Sequence, residues 1–124
     1  MTVRRLAILQ WIGLGLGGVV WFAQHIVGYG ITEARCDVVG PGWGIQHDVW
    51  QATLTACAAV LVLTAEAAAI AVLWETRTAS YEDGPPPGRI RFLAIAAATA
   101  NVIFLMIILL DGLAAIFDVA CRQA

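Results

Sequence analysis

The segment Phe92–Phe117, FLAIAAATANVIFLMIILLDGLAAIF, leaves few folds open to this chain. Apart from Thr99, Asn101 and Asp111, every residue in it is apolar or glycine. About 20 such residues, wound as a helix, cross the roughly 30 Å hydrocarbon core of a bilayer. Two further stretches qualify, Leu6–Gly28 and Val49–Trp74. The 124 residues are 60% hydrophobic and 13% charged, and a soluble domain this short could not bury three such segments. The expected fold class is therefore all-α: one integral membrane domain over 1–124 with three transmembrane helices. An outer loop, 29–48, and an inner loop, 75–91, join them. The first stretch reads as a retained span rather than a secretion signal, because its apolar run is long and no A-x-A-like site closes it.

Arginine sets the expected topology. The chain has no lysine, and all seven basic residues are arginine. Only charges near span ends count toward orientation. Arg4 and Arg5 precede the first span, and Arg77, Arg89 and Arg91 lie between the second and third. Arg35 and Arg122 fall on the other side, beside Glu33, Asp37, Asp48 and Asp118. The N-terminus is accordingly expected in the cytoplasm and the C-terminus outside. A net charge of −2 gives no reason to expect a nucleic-acid partner.

Small residues mark where helices approach closely. Gly13 and Gly17 are four apart and share a helix face, with Gly28 nearby in angle and Gln24 on the same side. Together they form a shallow groove for a neighbouring backbone. Trp11, Leu14, Gly18, Trp21, His25 and Tyr29 form the adjacent stripe. The second span is alanine-rich, and Asp48, Thr55, Ala59, Glu66 and Leu73 share one of its faces. On the third, Ala97, Asn101, Phe104, Ile108 and Asp111 fall within about 40° on a helical wheel. Asp48 is the expected N-cap of span two, with Gln51 in capping-box position. Gly40, Pro41, Gly42 and Gly44 signal turns in the outer loop, and Gly84 with Pro85, Pro86 and Pro87 breaks helix in the inner one.

Three groups of residues bear on chemistry. Cys36 and Cys121 both fall outside in the expected topology, where disulfides persist. They either pair, tying the first loop to the C-terminal tail, or stay free, and Cys57 inside span two reads as a small apolar filler. Ionisable groups within spans are costly and are functional candidates by default. Glu66 lies in the inner half of the membrane and Asp111 roughly 10 Å outward of its span's midpoint, so these two do not pair. His25 matches Asp111 in depth, and Glu66 has no basic partner at its level. These residues and Asn101 suit helix–helix or intersubunit hydrogen bonds. A proton or ion path through a homo-oligomer around Glu66, and pore-mouth or ligand groups, are the other readings. His25 and His47 raise haem or quinone binding, but no C-x-x-C-H site is present and no metal site is expected. No catalytic motif appears, so an enzyme is not expected.

The outer spans carry a sparse pattern: Trp11, Gly17, Trp21, Tyr29 and Cys36, then Arg91, Phe92, Leu93, Gly112, Leu113 and Cys121. It resembles a family of small three-span bacterial membrane proteins found alongside haem-copper cytochrome c oxidase subunits. The likeness covers spans one and three and hardly touches span two. It departs at Gly18-Val19 and at Ala120, where that pattern has Gly-Pro and Pro. The resemblance implies an accessory, non-catalytic subunit in the bacterial cytoplasmic (inner) membrane. Its partners would be larger integral subunits of a respiratory complex and lipids. Haem and copper would then belong to those subunits, with no cofactor in this chain.

Overall fold

The computed structural model describes residues 2–36, 44, 46–80, 82 and 86–117. Among them the secondary structure is wholly helical: α1 (Val3–Cys36), α2 (His47–Glu75) and α3 (Pro87–Phe117). All three are long and apolar enough to cross a membrane. At about 1.5 Å per residue, their 34, 29 and 31 residues exceed the hydrocarbon thickness. Each helix packs against both others. α1 and α3 run in the same direction and α2 runs against them.

The helices are longer than the apolar stretches suggest. Residues 29–36, expected in the outer loop, continue α1 by two turns. The Thr32 hydroxyl donates to the Gly28 carbonyl, and this extension packs on the first turn of α2. α3 begins at Pro87, inside the expected inner loop. A proline at the first helical position lacks only an N–H that the helix end would leave unused. Arg91 Nη1 then donates to the Thr76 carbonyl at 2.7 Å, fastening the start of α3 to the end of α2.

The capping box expected at Asp48 and Gln51 is not formed. α2 starts two residues earlier, at His47, with Gln46 as its cap and no side-chain capping bond. Gln51 is 2% exposed, because its amide is committed to α1 instead of the helix end. Gly44 has φ +65°, a left-handed conformation suited to glycine. Gly40, Pro41 and Gly42 lie outside the described residues, as do Gly84 and Pro85. Cys57 is a correction of a different kind: it is a free thiol on the outer surface of the bundle, not a filler within it.

The interior is narrow. Val20, Ala58, Val62 and Ile108 form its apolar centre, with Leu16, Trp21, Phe104 and Leu105 packed around them. Val60, Leu61, Leu63, Ile103, Met106 and Leu110 face outward. An apolar surface of that extent suits lipid and would be a liability in water.

Candidate functional site

The polar side chains of this bundle fall into separate levels, and the levels define what it can do. The first is at the His47 end. Gln51 Nε2 donates to the Gly28 carbonyl at 2.9 Å and to Thr32 Oγ1 at 3.3 Å. Thr32 Oγ1 lies 3.2 Å from His47 Nε2. Gly28 permits this approach, since a Cβ there would stand 3.3 Å from Gln51 Oε1. Replacing Gln51 by leucine removes both interhelical bonds. Each is worth about 0.6 kcal/mol and at most about 1.7 in a membrane bundle. The expected result is a lower melting temperature in detergent with helix content unchanged, read by circular dichroism.

One turn deeper, Thr55 packs its hydroxyl and methyl onto Gly112 of α3. Below that comes the apolar layer of Val20, Ala58, Val62 and Ile108. It separates the polar groups at the His47 end from the next level.

That next level is built on Asn101, which is 1% exposed and touches all three helices. Its Nδ2 donates to the Gly13 carbonyl of α1 at 2.9 Å. Its Oδ1 lies over Gly17, where any Cβ would collide with it. On the remaining side it interacts with the Glu66 carboxyl of α2. Glu66 Oε2 is buried without a hydrogen-bond partner. Gly13 also seats the α2 backbone: an added Cβ would be 3.0 Å from Ala69 N and 3.1 Å from its Cα.

His25 and Asp111 make the last group. His25 Nδ1 is 3.7 Å from Asp111 Oδ2, an ionic contact when the imidazole is protonated and longer than a hydrogen bond. The two side chains are 62% and 44% exposed, so the pair lies on the outer surface between α1 and α3. Trp21 stacks on His25 at 6.3 Å and on Phe104 at 5.8 Å, giving the pair an aromatic floor.

Set against the sequence, the structure brings His25 to Asp111 and keeps Glu66 apart from both. It does not bring the two histidines together as a haem pair. His47 is buried at the level of Thr32, seven residues and about 10 Å along α1 from the exposed His25. Among the described residues no group of three or more His, Cys, Asp and Glu side chains could hold a metal ion. Cys36 ends α1, while Cys121 and therefore the Cys36–Cys121 pairing lie outside the described residues. Thr32 and Gln51 are interhelical partners that helical spacing within either span does not single out. The signal was present: His47, Gln51 and Thr55 recur every four residues and lead into Ala58 and Val62. The face drawn through Asp48, Thr55, Ala59, Glu66 and Leu73 meets the buried one at Thr55 but is otherwise rotated from it by somewhat less than one residue. The chain matches no protein-family model, no curated protein and no solved structure.

Proposed function

We propose that this protein is a non-catalytic accessory subunit of a larger membrane complex. The resemblance in spans one and three points to a respiratory one, a haem-copper cytochrome c oxidase. The observation that carries the reading is the outward-facing His25–Asp111 pair. In the arginine-derived topology both residues sit just inside the outer boundary of the hydrocarbon, where exposed ionisable groups are costly. A neighbouring helix offering a hydrogen-bonding side chain would cover the pair and the Trp21 ring, and lipid would cover the rest. The buried polar groups favour a structural part as well. Asn101 and Gln51 donate from one helix to another, and Thr32 Oγ1 accepts the Gln51 bond and lies against His47. The apolar layer between Thr55 and Asn101 works against a proton path through the chain.

The test is purification of the tagged chain in mild detergent, with an absorbance spectrum and mass spectrometry of what accompanies it. Haem-bearing oxidase subunits should co-elute with the wild type. His25→Phe and Asp111→Asn should melt as the wild type does, yet retain at least about tenfold less haem, equivalent to about 1.4 kcal/mol of contact. A wild-type protein that elutes alone, stable and colourless, would remove the proposal.

A further inference from the structure

Besides Glu66 Oε2, two buried oxygen atoms on α1 and α2, between the His47 end and the apolar layer, have no hydrogen-bond partner in the protein. Gln24 is 3% exposed and Thr55 9% exposed, and neither Gln24 Oε1 nor Thr55 Oγ1 makes a hydrogen bond. The register of α1 against α2 places them together. Thr32 meets His47, and one turn further along each helix Gly28 meets Gln51. The next turn of each brings Gln24 opposite Thr55.

The Thr55 hydroxyl is not idle by default. Thr32, Thr53, Thr64 and Thr76 each donate to the carbonyl four residues earlier. That is the ordinary way for a threonine to satisfy its hydroxyl in a helix. Thr55 forgoes it, and its side chain is held against Gly112. A donor and an acceptor thus share a level without bonding to each other. A buried donor or acceptor left unsatisfied keeps the full cost of its lost hydration. A water molecule needs two or more polar partners to be retained in a protein interior. Here it would accept from one group and donate to the other.

We propose that an internal water is bound between the three helices at this level, accepting from Thr55 Oγ1 and donating to Gln24 Oε1. It lies beneath the His47–Thr32–Gln51 cluster and directly above the apolar layer of Val20, Ala58, Val62 and Ile108. Hydration therefore extends inward from the His47 end only as far as Thr55, and Glu66 lies on the other side of the barrier.

Water-edited solid-state NMR of the full chain in lipid bilayers tests this. Magnetisation from water should reach the Thr55 and Gln24 side chains, as it does Thr32, and fail to reach Val62 and Ile108. Thr55→Ser should keep the Gln24 signal, and Thr55→Val should abolish it with the remaining spectrum unchanged. If Gln24 and Thr55 in the wild type are as dark as Val62, no water is there. If Thr55→Val leaves Gln24 lit, the bridge is wrong. The wild-type comparison needs no variant to fold.

Discussion

Gly13→Leu is expected to separate α1 from α2 and to be the most damaging single substitution in the bundle. The neighbour at this point is backbone. A Cβ at position 13 would meet Ala69 N at 3.0 Å and Ala69 Cα at 3.1 Å, and a helix backbone has no rotamer with which to withdraw. A leucine therefore forces whole-helix displacement, which also draws the Gly13 carbonyl away from Asn101 Nδ2. Overpacking of this kind costs about 1–3 kcal/mol before that bond is counted. Thermal unfolding in detergent should show a large fall in melting temperature. Gly15→Leu supplies the control, because nothing lies within 4 Å of a Cβ there. Equal melting temperatures for the two variants would mean that the Gly13–Ala69 contact does not hold the helices.

Asn101→Leu is expected to follow closely. Leucine keeps asparagine's branched outline, with methyl groups in place of the amide oxygen and nitrogen, so the change removes the polar chemistry while adding some bulk. It removes the 2.9 Å bond to the Gly13 carbonyl and the Asn101 amide's interaction with the Glu66 carboxyl. The lost interhelical bond and the carboxyl left without its amide together amount to about 2–4 kcal/mol. If the Glu66 contribution is real, the double change Asn101→Leu with Glu66→Leu should be less damaging than the two single effects combined. Residues in direct contact commonly show about 0.5–3 kcal/mol of such coupling. Strict additivity would show that Asn101 acts on α1 alone.

The legible part of the site is instructive by residue. Gly13, Gly17 and Gly28 were readable as close-contact positions because small residues at helical spacing have few other uses in a span. The face of α3 through Ala97, Asn101 and Ile108 was readable too, and it is the buried one. On α2 small residues are no such guide. Alanines surround that helix on every side, so its apolar pattern carries almost no angular information. Glu66 stands out by its charge, whereas Gln51 reads as a local cap and Thr55 as one member of a mixed face, and neither reading shows the contact across to α1 or α3. The capping reading of Gln51 failed because local spacing cannot reveal that the Gly28 carbonyl stands within reach, 23 residues away in the chain.

The sequence by itself determined the class of structure: runs of apolar residues longer than a bilayer is thick leave the backbone no option but helix. It also determined the three long apolar helices found among the described residues and which faces of α1 and α3 turn inward. Only the tertiary structure decided how the polar residues are paired. Asn101 lies 88 residues from Gly13, and it bonds that carbonyl because three helices converge there. The outward placement of His25 and Asp111 and the apolar layer between Thr55 and Asn101 arise in the same way. Depth along a helix follows from counting residues, but the rotation of one helix against another follows from how small residues let backbones meet.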